Sequence, residues 1–389
     1  MGKLPLLDVP IVDYGEAEAD MVRYREEGEA RADALGNRGP LIVDAAGTVD
    51  RAILDAYDEH GFYVFTGVLG QGELDDIERD VIDMLDRAPV TKGADVDRHG
   101  RPALGSDGRA QNILWVRPLS DPWGGTSAAN GRHPSKMNEP VPPEEAPEHV
   151  VQLISGSLQF SPACLRLYGH PGLLAVAAAV NGDDFVPFNE AVWVKQAGLG
   201  ASVAWHQDGW THWDSPDLDW GSHGFNFMAQ LYGCTSANGL WVVPGSHLMG
   251  KVDIKALVAA AGSDRLPDAV PLVCAPGDVA ITNRQCVHGS FANTSPLPRV
   301  TINFGFHRRR SVLGVESGGV HNAVAVYDEA RIHERSEVIA YAIDARAQRF
   351  PAEERFTYRP FAGHEDEYRW EGDATLEALR DYNRLDLGI

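Results

Sequence analysis

Residues 276–306 read PGDVAITNRQCVHGSFANTSPLPRVTINFGF and contain two β-type runs, DVAITN and RVTINFGF. Each run is rich in β-branched or aromatic residues, and Gly, Pro, Asn and Ser lie between them, as expected of short strands joined by loops. Similar runs recur from about residue 184 onwards: FVPFNEAVWVKQ, SVAWHQD, GFNFMAQLYGCT and GLWVVPGSH. Short strands at this spacing predict a barrel or a double-sheet jelly roll.

On both sides of this region the pattern becomes helical, so we expect a mainly β fold with flanking helices. Residues 16–37 are rich in Ala, Glu and Arg and predict a solvated helix. A short strand is predicted at 62–66, and the tail 325–389 again has a helix-like pattern. A second amphipathic helix is predicted where apolar residues recur at three- and four-residue steps, at Leu74, Ile77, Val81, Met84 and Leu85.

Residues 88–150 are crowded with Gly, Pro, Ser, Asn and charged residues. Inside a compact domain, a long irregular stretch indicates a functional loop or a disordered one, and the embedded NILWV favours partial docking. We interpret the whole chain, 1–389, as a single domain. Its predicted parts are a helical N-terminal flank (1–87), a loop-rich candidate lid (88–150), a jelly-roll core (184–310) and a helical C-terminal extension (311–389).

The chain is acidic, because 34 Lys and Arg against 56 Asp and Glu give a net charge of −22 over 389 residues. Such a surface repels phosphate backbones and anionic lipid, so we expect neither nucleic acid nor a membrane as partner. The four cysteines are far apart in sequence and suit a reducing compartment, and the N-terminus does not resemble a secretory signal. We expect a cytoplasmic protein with a small-molecule substrate, and the C-terminal helices allow a homodimer.

His206 and Asp208 lie two positions apart at the end of the run SVAWHQD. Residues i and i+2 of a strand point to the same face, so the imidazole and the carboxylate are expected side by side. A histidine from another strand, for which His288 after DVAIT is the candidate, would complete a face of two histidines and one carboxylate. Such a face leaves adjacent metal positions open and is typical of non-haem Fe(II) oxygenases.

Arg299 lies eleven residues past His288, among apolar residues of the next predicted strand. Its planar, permanently charged fork suits a bidentate interaction with a carboxylate. With 2-oxoglutarate as cosubstrate, the 1-carboxylate and 2-oxo group would chelate iron while the far carboxylate meets Arg299. Thr301, which faces the same way, or Ser290 would add a hydroxyl donor.

Taken together, these motifs resemble the phytanoyl-CoA dioxygenase family of Fe(II)/2-oxoglutarate oxygenases. The matching features follow the family's order over roughly residues 55–310: HGFYVFTGVLGQGELDDI, Lys195, WHQD, NGLWVVPGSHLMGK, PGDVAITNRQCVHGS and Arg299. The resemblance implies a double-stranded β-helix (jelly-roll, cupin-like) core and the use of Fe(II), 2-oxoglutarate and O2. It also implies His206, Asp208 and His288 as iron ligands and Arg299 as the anchor for the distal carboxylate.

The resemblance further implies contacts to 2-oxoglutarate from residues around the iron. Ser290 matches the family's serine just after the second histidine, and Gln207 and Lys195 match positions near the cosubstrate. Gln230 falls where some members carry a tryptophan, and this departure leaves its role open. Residues 88–150 and the C-terminal tail are diverged, so nothing about the substrate carries over.

The expected reaction is hydroxylation of an unactivated C–H bond in a small or medium organic metabolite, with release of succinate and CO2. Asp208 favours hydroxylation over halogenation, because a small residue replaces this carboxylate in halogenases related to the family, although desaturation, epimerisation and ring-forming oxidation use the same triad. Two other functions stay open: a zinc hydrolase in which the same face activates water, and a non-catalytic jelly-roll binding protein. A rival ligand pair, His212 and Asp214, lies among tryptophans without a preceding strand to aim the two side chains together.

Overall fold

The computed structural model describes residues 12–106, 112–208, 224–317 and 325–380. Two β-sheets dominate these ranges, and neighbouring strands are antiparallel except for the parallel pair β1 and β2. The larger sheet has the order β1 (Arg38–Pro40), β2 (Phe62–Thr66), β10 (Val279–Asn283), β7 (Gly224–Gln230), β12 (Arg299–His307), β5 (Val186–Lys195), β4 (Val150–Ser155), β3 (Ile113–Val116). The smaller sheet has the order β6 (Val203–His206), β11 (His288–Ser290), β8 (Trp241–Val242), β9 (Val270–Pro271), and β13 (Glu316–Ser317) pairs with β14 (Ala325–Val326).

Helices flank the sheets, and several begin at residues that cap their first turn. Asp50, Asp253 and Asp328 each accept a hydrogen bond from a backbone N–H two or three residues onward, which satisfies one of the free donors of the first turn. The helices are α1 (Glu18–Leu35), α2 (Arg51–His60), α3 (Gln71–Asp86), α4 (Pro162–Tyr168), α5 (Pro171–Asn181), α6 (Ile254–Ala261), α7 (Arg309–Val312), α8 (Glu329–Arg349) and α9 (Asp373–Leu379).

Strand β12 shows how the larger sheet separates the main core from a polar interior. Val300, Ile302 and Phe304 belong to the largest hydrophobic cluster, together with apolar residues of α3, α4, α5 and α8. Arg299 and Thr301 alternate with these residues and therefore point to the opposite face. Both are buried, so polar side chains on that face are enclosed by the protein.

The prediction of a mainly β fold with a jelly-roll core and flanking helices is confirmed. The predicted strand at 62–66 is β2, and the predicted amphipathic helix is α3. Strands β1 to β4 precede residue 184 and extend the larger sheet, with β3 formed by the docked NILWV run. Helix α5 was not predicted, because its apolar residues run almost continuously and so show little helical periodicity.

Helix α1 forms where a solvated helix was predicted, but one of its faces is buried. Met21 and Tyr24 are buried, and the ring of Tyr24 stacks on Trp241 with centroids 4.5 Å apart. A Cβ atom at Gly28 would overlap the Trp241 ring, so glycine allows the close approach. The prediction that this helix is solvated was wrong for this face. Only a few residues make the buried contact, so they do not stand out in the sequence of a highly charged helix.

No single helix within the described ranges is long and apolar enough to cross a membrane. Helices α4 and α5 meet that criterion only when they are taken as a pair, and they bend by 46° at their junction.

We expect Gly169→Ala to lower the free energy of unfolding by about 1–3 kcal/mol, because overpacking a tight contact forces the backbone to shift. Gly169 ends α4, and a Cβ atom there would overlap the backbone carbonyl of Ala342 in α8. Gly72 in α3 is the matched control, because nothing lies within 4 Å of its added Cβ. Gly72→Ala should raise stability by a few tenths to about 1 kcal/mol through helix propensity. Urea unfolding measures both, and equal effects of the two substitutions would contradict the close approach of α4 and α8.

Candidate active site

The pairing of β6 with β11 brings the two histidines of the predicted iron site together. His206 and His288 are direct cross-strand partners, and their ring centroids are 4.1 Å apart. Asp208 follows β6, and its backbone N–H donates to the carbonyl of Arg284. The three side chains are buried, and one potential ligand atom from each lies within 4.8 Å of the other two. The fold therefore assembles the predicted triad.

Hydrogen bonds to the backbone orient both imidazole rings. Nδ1 of His206 lies 2.7 Å from the carbonyl oxygen of Ala204, and Nδ1 of His288 lies 2.9 Å from that of Cys286. Because a carbonyl only accepts, Nδ1 carries the proton in each ring and Nε2 keeps a free lone pair. Burial lowers the pKa of both histidines, and the nearby ring of His288 lowers that of His206 further. Both rings are therefore neutral nitrogen donors at neutral pH.

Asp208 supplies an ionised oxygen donor. Although burial opposes ionisation, the pKa of Asp208 lies well below its usual range, and the positive charge of Arg132 contributes to this lowering. Asn226, on β7, donates through Nδ2 to Oδ2 of Asp208 at 3.4 Å, so the two sheets meet at this carboxylate. The other oxygen, Oδ1, has no hydrogen-bond partner in the described chain. Arg132 approaches Oδ1 at 3.2 Å without hydrogen-bond geometry, so this buried oxygen keeps lone pairs that a metal ion could use.

These three side chains fit a divalent metal ion of the non-haem iron type. They offer two neutral imidazole nitrogens and one carboxylate oxygen, which is the donor set of the two-histidine, one-carboxylate triad. Three protein ligands leave positions free for a chelating cosubstrate and O2, in contrast to a four-ligand structural site. Across the ranges that the structure describes, no other group of three or more His, Cys, Asp or Glu has metal-site spacing.

Arg299 is buried without an acidic partner in the described part of the chain. Its Nη1 donates to the carbonyl of Asn238 at 2.9 Å, and its Nε finds no hydrogen-bond acceptor there. Burial lowers the pKa of the guanidinium, although a group that is so basic stays charged at neutral pH. Buried arginines are usually paired, so an unneutralised guanidinium indicates a place for an anion.

Lys195 lies beside Arg299, because the two are direct partners in the pairing of β5 with β12. The amine of Lys195 donates to the carbonyl of Phe291, one residue past β11. Burial and the nearby charge of Arg299 lower the pKa of Lys195 well below its usual range. The contact with Phe291 links β5, which pairs with the strand of Arg299, to the residue that follows β11.

Three of the other predicted cosubstrate residues lie on strands, and the fourth is bonded to backbone after β6. Thr301 and Gln230 are cross-strand partners on β12 and β7, and the Thr301 hydroxyl donates to Oε1 of Gln230 at 2.8 Å. Ser290 is buried on β11, two residues after His288. Gln207 is different, because its side chain is bonded to the backbone of three other residues: Gly250, Gln285 and Val252.

The loop-rich segment 88–150 contributes a histidine and an aspartate that were not predicted. The ring of His133 stacks on that of His206, with centroids 4.5 Å apart and an interplanar angle of 24°. Asp121 contacts Nδ1 of His133 at 2.8 Å and also accepts the backbone N–H of Ala204 in β6. This pair therefore fixes the loop against β6, the strand that carries His206.

The same segment places Arg132 at the triad, with Nη1 3.2 Å from Oδ1 of Asp208. No sequence signal identifies this arginine, because it lies in GRHP between irregular stretches and shows no strand or helix periodicity. The rival pair, His212 and Asp214, lies outside the described residues.

Comparison with known proteins matches residues 57–301 to the family described as Phytanoyl-CoA dioxygenase (PhyH). L-proline trans-4-hydroxylase of Streptomyces griseoviridis is 32% identical over 123 residues, which cover 30% of this chain and 46% of that protein. Phytanoyl-CoA dioxygenase 1 of Oryza sativa subsp. japonica is 32% identical over 118 residues, which cover 28% of this chain and 40% of that protein. The chain spans less than half the length of these curated relatives.

Solved structures with a similar fold were also found. The crystal structure of EctD from S. alaskensis with 2-oxoglutarate and 5-hydroxyectoine has 21% sequence identity and a TM-score of 0.48, and the match covers 70% of this chain and 81% of that chain. The crystal structure of AviO1 from Streptomyces viridochromogenes Tue57 has 21% identity and a TM-score of 0.45, and the match covers 66% and 95% respectively.

Proposed function

Since the chain belongs to the phytanoyl-CoA dioxygenase family, we propose that it is an Fe(II)- and 2-oxoglutarate-dependent dioxygenase. Its reaction is hydroxylation of an unactivated C–H bond in a small or medium organic metabolite, with release of succinate and CO2. The observation that carries this proposal is a buried triad of two histidines and one carboxylate. The same domain buries Arg299 without an acidic partner among the described residues.

The protein's part in this reaction is to hold the metal and leave room beside it. His206 and His288 present Nε2, and Asp208 presents a carboxylate oxygen, from two paired segments of the smaller sheet. When bound, Fe(II) supplies the O2 activation that oxidative decarboxylation and C–H hydroxylation require. Burial of the three ligands keeps water from competing for the charged groups of the site.

Arg299 binds the distal carboxylate of 2-oxoglutarate in this proposal. One Nη is bonded to a backbone carbonyl, which fixes the guanidinium plane and leaves other donors for the ligand. Thr301 offers a hydroxyl from the same face of β12, and Gln230, Ser290 and Lys195 complete the proposed cosubstrate pocket. Gln207 acts from further away, by holding the backbone at Gly250 and Gln285 against β6.

The alternatives explain less of the site. A zinc hydrolase would use the same three ligands to activate water but would give Arg299 and Lys195 no task. A non-catalytic binding protein gives no reason for a triad of unprotonated metal donors or for a buried arginine without an acidic partner among the described residues. A cytoplasmic location, a homodimer and the absence of nucleic acid or membrane partners stay predictions from the sequence.

The test is formation of succinate from 2-oxoglutarate by metal-depleted protein to which Fe(II) and ascorbate are returned. We expect slow succinate release without a primary substrate, its loss on chelation, its recovery with Fe(II) and no recovery with Zn(II). A metabolite screen that follows succinate, with mass spectrometry for a gain of one oxygen, then identifies the substrate. Zinc-dependent hydrolysis, or failure to bind both Fe(II) and 2-oxoglutarate, would contradict the proposed function.

A further inference from the structure

Arg132 is a second buried arginine in this region, on a different element from Arg299. Its side chain is only 6% exposed, and it lies in the connection between β3 and β4. The neighbouring residue fixes the position of Arg132, because His133 is held by Asp121 and stacks on His206. The guanidinium is therefore built into the wall of the site and is not a freely moving surface charge.

Among the described residues, Nη2 of Arg132 contacts Nε2 of His133 at 3.3 Å, whereas Nε and Nη1 have no acceptor. Nη1 lies 3.2 Å from Oδ1 of Asp208, but the approach does not have hydrogen-bond geometry, and neither atom has a hydrogen-bond partner in the described chain. Nε also has none among these residues. Buried donors without an acceptor are unfavourable, so a ligand that accepts hydrogen bonds from them removes this cost when it binds.

Metal binding would leave the Arg132 guanidinium with less negative charge beside it. When Asp208 gives an oxygen to the ion, its negative charge is shared with the metal and stabilises Arg132 less. Arg299, which the proposed function assigns to the cosubstrate, is bonded to Asn238 and neighbours Lys195, whereas Arg132 contacts Asp208 and His133. The two guanidiniums therefore suit two different anions.

We propose that Arg132 binds a carboxylate of the primary substrate, so that the substrates of this enzyme are small carboxylic acids. This inference rests on the proposed function. A guanidinium recognises a carboxylate through two parallel hydrogen bonds, which Nε and an Nη provide together. Because Arg132 touches an iron ligand, a carboxylate bound there places nearby C–H bonds of the same small molecule next to the metal.

The test uses matched pairs of small carboxylic acids and their carboxamides, added to protein loaded with Zn(II) and saturated with 2-oxoglutarate. Zn(II) is diamagnetic and does not drive turnover, so ligand-observed NMR reports binding alone. We expect acids to bind and their amides not to bind. Arg132→Gln should weaken acid binding at least about 30-fold, since it removes one partner of a buried charge pair, and Arg132→Lys should recover part of it.

Two further measurements separate this role from others. Arg98→Gln is the matched control, because Arg98 lies in the same loop-rich segment but its side chain is 68% exposed and paired with Asp86. It should leave acid binding unchanged. The affinity of Arg132→Gln for Zn(II) and for 2-oxoglutarate should stay within a few-fold of the wild type, and its thermal midpoint should be close to that of Arg98→Gln.

Several results would overturn the proposal. Acids and amides that bind equally, no acid-selective binding by the wild type, or acid binding unchanged in Arg132→Gln would each exclude a substrate carboxylate at this residue. A fall in metal affinity alone would make Arg132 a positioning residue for Asp208, and a loss of 2-oxoglutarate alone would make it a cosubstrate residue. If the wild type does not bind 2-oxoglutarate, the proposed function fails, and the acid–amide comparison without it still decides the role of Arg132.

Discussion

Asp208→Ala should lower the affinity for Fe(II) by more than about 100-fold, because loss of a direct ligand should exceed the 10- to 100-fold effects of outer residues. The substitution removes the only charged ligand of the triad and leaves two neutral imidazoles beside the positive charge of Arg132. Anaerobic titration with Fe(II), followed by measurement of bound metal, gives the affinity. Succinate formation should be lost in parallel.

The control for this experiment is Asp214→Ala, which removes the carboxylate of the rival pair. We expect it to bind Fe(II) as the wild type does, since Asp208 is the carboxylate that lies with both histidines within the described ranges. Full metal binding by Asp208→Ala together with loss in Asp214→Ala would show that the ligand assignment is wrong.

Arg299→Gln should weaken binding of 2-oxoglutarate by roughly 30- to 1000-fold and leave metal affinity within a few-fold, as expected when one partner of a buried charge pair is removed. The physical reason is that glutamine keeps a donor but loses the fixed charge and the fork. Calorimetric titration of 2-oxoglutarate into the Mn(II)-loaded protein measures the effect without turnover.

Two comparison variants sharpen this second prediction. Arg299→Lys keeps the charge and should fall between the wild type and Arg299→Gln, because a lysine cannot form two parallel hydrogen bonds with one carboxylate. Arg79→Gln alters an exposed arginine of α3 and should leave the affinity for 2-oxoglutarate unchanged. If Arg299→Gln binds 2-oxoglutarate like the wild type, Arg299 is a structural residue and the cosubstrate lies elsewhere.

The proximity of His206, Asp208 and His288 could be predicted from sequence because local rules determine most of the geometry. The two-residue period of a strand places His206 and Asp208 on one face, and a strand-like run before His288 suggests where the second histidine lies. The direct pairing of His206 with His288 could not be predicted, because the register of β6 and β11 shifts within the pair. Register depends on contacts across the whole sheet rather than on local pattern.

The site residues that were not predicted lie in segments that show no strand or helix periodicity. Asp121, Arg132 and His133 reach the site from irregular backbone, and their positions follow from tertiary contacts such as the bond from Ala204 to Asp121.

The direction of the Gln207 side chain, in contrast, follows from a local rule. The alternation that points His206 and Asp208 together also points Gln207 away, so its bonds to backbone follow from the same rule, although the family resemblance places it near the cosubstrate.

The backbone bonds of the two imidazoles have a consequence for how the protein acquires its metal. Because His206 and His288 already hold their protons on the nitrogen that faces a carbonyl, and Asp208 is already ionised, none of the three needs to release a proton when an ion arrives. Metal loading near neutrality should therefore release few protons from these three side chains.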